Sequence, residues 1–344
     1  MSKSSFLATS LRRVGAVRLL DAFWGPTRLT VLVYHRIVDA KTDQFHYYDD
    51  VTLPPAVFER QMAYVAEHFN VIDLATLHAF LQNGEPLPSR PLLITFDDGY
   101  LDNYSNAWPI LRAYHLPAVI FLTTARMDDP MPLWWDECAY YFHHTPHLQA
   151  TLPLLGQQDL STPKQRIAVR EKLLGQLKRL PEAQKQAMIS QLPAALAVEP
   201  PPRDRSLFLT WDQVRELVAN GVACQPHTVT HPILTRIPAE EMRWQLKTSR
   251  DRIITETEQE IIAFAYPNGL ATDINASTQQ ALRDLGYKMA FTMAHGPIAI
   301  EQVHQHLFTI PRISPHYSDN FEAFLLRVHG FQKIKKQLKA YINR

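Results

Sequence analysis

Short apolar runs alternate with longer amphipathic stretches along most of this chain. Residues 29–34 (LTVLVY), 92–96 (LLITF), 117–124 (PAVIFLTT), 222–225, 261–266, 287–293 and 308–313 (FTIPRI) are too short for helices and rich in strand formers, which predicts buried strands. Between them, helical patterns cover 57–69, 73–83, 104–115, 240–256 and 276–285. Gly84 punctuates the second of these, and Thr210 and Gly221 bound a further helix running to Asn220. Strand, helix, strand, helix at this spacing implies parallel βα units, a deformed (β/α) barrel whose functional groups gather at the carboxyl ends of its strands.

The alternation fails in two places. Residues 39–55 are polar and aromatic without a clear period, which predicts a loop. Residues 127–206 carry no barrel repeat: an aromatic patch, PLWWDECAYYFHH, precedes a charged helical pair over 163–192 and the proline-rich stretch EPPPRDR. This predicts a mostly helical insertion. Its Trp134, Trp135, Tyr140 and Tyr141 suit either a sugar-stacking wall or ordinary packing, and the wall reading is kept for Trp135 with Asp136.

The chain ends add amphipathic patterns. Leu7, Leu11, Val14, Val17 and Leu20 recur at helical spacing, so 1–28 predicts a helix packed on the domain or resting on a membrane surface. Arg18 and Asp21 interrupt the apolar stretch that a secretory signal needs, and no run approaches a membrane span. In the tail, Phe321, Phe324, Leu325, Val328, Ile334, Leu338 and Tyr341 oppose Lys333, Lys335, Lys336, Lys339 and Arg344, which suits a capping helix or anionic lipid.

With 344 residues and 46% apolar content the chain is long enough for a real core. A net charge of +1 lacks the basic excess that nucleic acid binding requires. Cys138 and Cys224 are the two cysteines, too few for a disulfide framework. The expected location is the cytoplasm, with peripheral contact at the inner membrane face.

Candidate chemistry centres on PLLITFDDGYLDNY, residues 91–104. A strand ending at Phe96 delivers Asp97 and Asp98 into a turn at Gly99, and two like charges in one cavity call for a cation. His227 and His231, four apart in HTVTHP, fit one side of a helical turn, and the flanking Pro226 and Pro232 suggest a loop or a single turn. Two imidazoles and one carboxylate leave a coordination position for water, the composition of a catalytic zinc site.

TFDDGY and HTVTHP resemble the first two motifs of the polysaccharide deacetylase family, the NodB-homology carbohydrate esterases, and FAYPNG at 264–269 resembles the third. The resemblance covers roughly 29–126 and 207–315. It implies that Asp97 is the general base and that Asp98, His227 and His231 hold the metal, Zn2+ by default with Co2+, Ni2+ or Mn2+ acceptable. A backbone N–H near Tyr100 would serve the oxyanion, and Tyr100, Tyr266 and Pro267 beside the motifs, with Trp135 and Asp136 of the insertion's aromatic patch, are candidates for substrate binding. The barrel then falls into 29–126 and 207–318, around the insertion 127–206 and between the terminal helices 1–28 and 319–344.

Three departures from the family pattern stand out. Ala265 occupies the position where many members carry an arginine, no late leucine-x-histidine motif is found, and Gln225 and Pro226 replace the small residues common before the first histidine. Arg312 is the substitute candidate for orienting the base, and His35, in a YHR segment at the end of the first strand, for an acid titrating near neutrality. The implied reaction is hydrolysis of an N-acetyl group on an amino sugar in a polysaccharide or glycan intermediate, free or lipid-linked. A deformylase or other small-amide hydrolase, and a degenerate sugar-binding protein, are the alternatives.

Overall fold

The fold is that of a computed structural model describing residues 27–39, 51–315 and 320–330. The predicted helix over 1–28 lies almost wholly outside the described residues, as do most of the 39–55 loop and the tail beyond 330.

In chain order the strands are β1 (Arg28–Tyr34), β2 (Arg36–Ile37), β3 (Thr52–Leu53), β4 (Asn70–Val71), β5 (Pro91–Asp98) and β6 (Val119–Leu122). They are followed by β7 (Gln149–Leu152), β8 (Gly156–Asp159), β9 (Ala223–Pro226), β10 (Ala263–Ala265), β11 (Met289–Phe291) and β12 (Ile298–Ala299). The main sheet runs β12-β1-β5-β6-β9, parallel except for β12, and β4 joins β5 at its start. β10 and β11 form a separate parallel pair.

Two devices other than continuous ladders link the pair to the sheet. Residues 308–313, predicted as the closing strand, bridge only at single points, Ile310 to Phe291 and Ile313 to Leu32. On the other side the buried Gln225 side chain spans from β9 to β10: the N–H groups of Ile262 and Ala263 donate to its Oε1 at 3.0 and 2.9 Å, and its Nε2 donates to the Glu260 carbonyl at 3.0 Å. A small residue before the motif histidine has no amide to make that span. The deformed barrel is thus sealed on one side by a side chain.

Strand alternation sorts the core into two layers. Val31, Leu93, Val119, Phe121, Ala263, Ala265, Met289 and Phe291 meet inside. Leu32, Leu92, Ile94, Phe96, Ile120, Phe264 and Ala290 face outward to the helices. Those helices start and stop where local chemistry dictates. Thr210 and Gln213 form a capping box before the helix Trp211–Ala219, Asp73 caps Leu74–Asn83 through the Thr76 N–H, and Gly84 closes that helix at φ 71°.

Between β6 and β9 the chain leaves the barrel. The helices Trp134–His144, Pro163–Leu177 and Glu182–Ile189 pack around their own apolar centre, which Tyr100 and Phe208 enter from the barrel side. The segment also contains the hairpin β7–β8, absent from the sequence expectation. The first turns of the tail pack back on the barrel: in the helix Phe321–Val328, Phe324, Leu325 and Val328 are buried, Phe321 meets Tyr64 edge-on, and Arg60 lies over the Phe321 ring. That apolar face is covered by protein.

Candidate active site

β5 runs two residues further than the sequence predicts, through Asp97 and Asp98, which pair with Phe121 and Leu122 of β6. Asp97 has the parity of Leu93 and faces inward. Asp98 would face the helices if the strand stayed regular, but its φ of 75° is left-handed, a conformation aspartate tolerates, and this brings its carboxylate to the same cavity.

Of the loop and the single helical turn that the sequence allowed for the two histidines, the structure has the loop. Residues 227–233 form an irregular loop in which Thr228 and His231 take left-handed φ values of 70° and 64°. The His231 N–H donates to Thr228 Oγ1, and Gln245 from the helix Ala239–Thr257 holds the loop. Its Oε1 accepts the N–H groups of Val229 and Thr230 at 2.9 and 3.1 Å, and its Nε2 donates to Thr230 Oγ1 at 2.7 Å.

This geometry brings His227 Nε2 and His231 Nε2 to 3.6 and 3.5 Å from Asp98 Oδ1, with ligand atoms of all three within 4.8 Å of one another. His227 donates its Nδ1–H to the Ala265 carbonyl at 2.7 Å, which leaves Nε2 with a lone pair facing Asp98. Asp98 is buried with no hydrogen-bond partner on either oxygen. Burial, with Asp97 and Asp136 nearby, holds its carboxyl well above the usual range, and burial lowers both imidazoles. A divalent cation satisfies all three at once, so the residues fit a metal.

Arg312 is fully buried and clamps Asp97 in a fork, Nη1 to Oδ1 and Nη2 to Oδ2 at 2.7 Å each. Burial pushes the Asp97 carboxyl up, but Arg312 and His227 outweigh it and hold the group below its ordinary value. His35, following β1, places Nε2 4.0 Å from Asp97 Oδ2. Burial lowers its imidazole to about 4 against the opposing pull of Asp97, so the ring is neutral at neutral pH rather than titrating there.

His35, Asp97, Asp98, Trp134, Trp135, His227, His231 and Tyr266 line one cavity of about 210 Å³. Trp135 sets its ring edge-on to His231, with centroids 4.5 Å apart. A family model described as polysaccharide deacetylase matches residues 84–290.

The chain belongs to the polysaccharide deacetylase family.

This deacetylase is 20% identical over 302 residues to YxkH of Bacillus subtilis (strain 168), named as a polysaccharide deacetylase, covering 87% of this chain and 77% of that one. It is 27% identical over 113 residues to the poly-beta-1,6-N-acetyl-D-glucosamine N-deacetylase of Escherichia coli (strain K12), covering 33% of this chain but 16% of that much longer relative. Its fold matches the Streptococcus pyogenes deacetylase PplD in complex with acetate, with TM-score 0.59, 20% identity and coverage of 88% and 99%. It also matches IcaB from Ammonifex degensii, with TM-score 0.56, 15% identity and coverage of 88% and 98%.

Other expected contacts of the deacetylase are placed differently. The Tyr100 side chain turns away from the cavity, donating to Asp136 Oδ2 at 2.6 Å and accepting from Trp135 Nε1 at 3.2 Å. Tyr100 and Asp136 therefore stand behind Trp135, and burial raises the Asp136 carboxyl to about 6. The turn carrying the Tyr100 N–H is pinned on both sides, Leu101 N–H to the Leu207 carbonyl and Leu209 N–H to the Gly99 carbonyl. Tyr266 reaches the cavity wall while its ring packs edge-on against Phe264 in the helix layer, and Pro267 is buried outside the lining. Tyr141 is core.

Sequence reasoning missed Lys178, Asn268 and His295 in the wall, along with Gln245 beneath it. Only Asn268 carried a signal, lying inside the third motif beside Gly269.

Proposed function

We propose that this enzyme hydrolyses the N-acetyl group of an N-acetylglucosamine-type residue within a glycan, with zinc held by Asp98, His227 and His231. The observation that carries the reading is a buried Asp98 with both oxygens unpartnered between two imidazoles, beside an Asp97 clamped by Arg312. Relatives named for N-deacetylation of poly-beta-1,6-N-acetyl-D-glucosamine support the choice of sugar. Two nitrogens and one carboxylate support zinc, with cobalt, nickel or manganese as substitutes.

When bound, the ion supplies the positive charge that acidifies water and polarises an amide carbonyl. Asp97, kept ionised and aimed by Arg312, takes the proton of the attacking water. His35 is neutral at this point, and its Nε2, 4.0 Å from Asp97 Oδ2 and so one water away rather than in direct hydrogen-bond reach, relays that proton to the departing amine. Trp134 and Trp135 give the cavity an apolar wall against the sugar face.

Acetate release from β-1,6-linked N-acetylglucosamine oligosaccharides, lost with chelator and restored by zinc, tests this reading. Metal-loaded protein that releases formate from an N-formyl sugar but no acetate overturns the choice of acyl group.

We extend the proposal to a lipid-linked glycan at the cytoplasmic face of the membrane, on the strength of the basic amphipathic tail sequence. Among the described residues no helix is long and apolar enough to cross a membrane. Full-length active enzyme should float with anionic liposomes at low salt, and failure to do so removes this part.

A further inference from the structure

β1 ends its ladder with β5 at Tyr34, paired with Phe96, and the two-residue β2 pairs with β3 from Arg36 onward, so His35 falls in the gap between two ladders and has no strand pairing of its own. Something else must hold it. The residues that do so lie just after the acidic pair, in a stretch whose later positions have no part in the reaction described above.

Asn103, 1% exposed, donates from Nδ2 to the His35 carbonyl at 2.6 Å. Asp102, 6% exposed, accepts the Ile37 N–H on Oδ1 at 2.6 Å and Arg36 Nε on Oδ2 at 3.0 Å. Asn106 completes the set, its Nδ2 donating to the Ile37 carbonyl at 2.7 Å. Arg36 in turn lies over the Tyr100 ring, 5.0 Å from its centroid. Backbone groups of His35 and Ile37, on either side of Arg36, are thus bound by side chains of one turn, and that turn follows directly from the strand carrying Asp97.

We propose that Asp102 and Asn103 are positioning residues for His35, fixing the backbone from which its imidazole reaches Asp97. The turn places His35 relative to the base because both hang from β5: Asp97 directly, and His35 through side chains five and six residues further along. A misplacement near 1 Å of a group that relays a proton costs roughly a hundredfold in rate, so a clamp of this kind is felt in turnover. The proposal rests on the reading that His35 acts in turnover, and on nothing about the sugar.

The test is a double-mutant cycle on the metal-loaded, full-length enzyme. Asn103→Asp keeps the shape of the side chain and removes the donor, and Asn103→Ala is run beside it: both leave the His35 carbonyl unpaired, the first with an added charge beside Asp102 and the second with a cavity, so a loss common to the two belongs to the missing donor. Asn103→Asp is expected to lower kcat roughly tenfold to a hundredfold, with KM and metal content unchanged. In a His35→Ala background the same substitution should have no further effect, because there is no imidazole left to place. Asp102→Asn, which keeps the acceptor for Ile37 but loses the charge facing Arg36, should give a smaller drop with the same dependence on His35. Equal losses in both backgrounds, or loss of metal, would mean that the turn acts through the general fold, and the proposal fails. If His35→Ala alone leaves turnover unchanged, the role given to His35 fails first and takes this proposal with it, and the parent variant tells the two failures apart.

Discussion

Arg312 and Asp97 stand 215 residues apart in sequence and meet through two parallel hydrogen bonds inside the barrel. The arginine comes from the closing segment rather than from the third motif, where Ala265 points inward as part of the packed interior. Because burial alone would raise Asp97, the guanidinium is what keeps the base ionised. Arg312→Lys keeps a charge but loses the fork, and Arg312→Ala loses both. The acidic limb of the kcat/KM profile should therefore move to higher pH in both variants, further in Arg312→Ala. An unmoved limb in a folded, metal-loaded Arg312→Ala enzyme would show that another group sets the protonation of the base.

His35→Ala should lower turnover roughly a hundredfold with metal retained, the scale expected for losing a proton-transfer group. With its imidazole lowered to about 4, His35 changes charge well below neutrality, so the variant should show no lost or shifted limb between pH 5 and 8. A limb in that window that disappears with His35 would mean that the bound state lifts the ring toward its ordinary value. Steady-state rates across pH make the distinction.

Asp98→Ala, His227→Ala and His231→Ala should each strip most of the metal, since three protein ligands leave little redundancy. Asp97→Asn should keep the ion and lose turnover. Elemental analysis of the purified variants checks both statements, and wild-type metal content in His227→Ala would sink the ligand assignment.

Gln245→Ala removes the acceptor shared by the Val229 and Thr230 N–H groups and the donor to Thr230 Oγ1, without touching the ligands. Metal affinity should fall roughly tenfold to a hundredfold, the range seen when the partners that orient ligands are lost. Chelator competition against wild type measures it, and an unchanged affinity would make the loop rigid by other means.

The strands β1, β5, β6, β9, β10 and β11, the helix-bounding residues Gly84 and Thr210, and the acidic and histidine motifs were legible because each is written in neighbouring residues. The turns that aim the ligands were not. Asp98, Thr228 and His231 adopt left-handed backbone without a glycine to announce it, under constraints from β6 and Gln245 that are remote in sequence. Gln245 reads as one polar residue on a polar helix. The hairpin β7–β8 escaped because only Ala150 and Leu152 among its strand residues are buried apolar, too thin an alternation to stand out. Tyr100 and Asp136 were visible as polar groups near the motifs, but nothing local revealed that they would bond each other in the insertion's core.

The Gln225 span bears on how this enzyme holds its ion. His227 follows β9, and its Nδ1 bond to the Ala265 carbonyl crosses the same gap that the Gln225 amide bridges toward Ile262 and Ala263. One lip of the seam carries the ligand and the other lip sets its tautomer. Separation of the lips would let the imidazole turn, and an ion held by His227 would restrain the imidazole and hence the lips. By linkage the effect is reciprocal: whatever tightens the ion also fastens the barrel. A bound ion would then be a clasp as well as a reagent, fastening a seam held by the Gln225 and His227 hydrogen bonds.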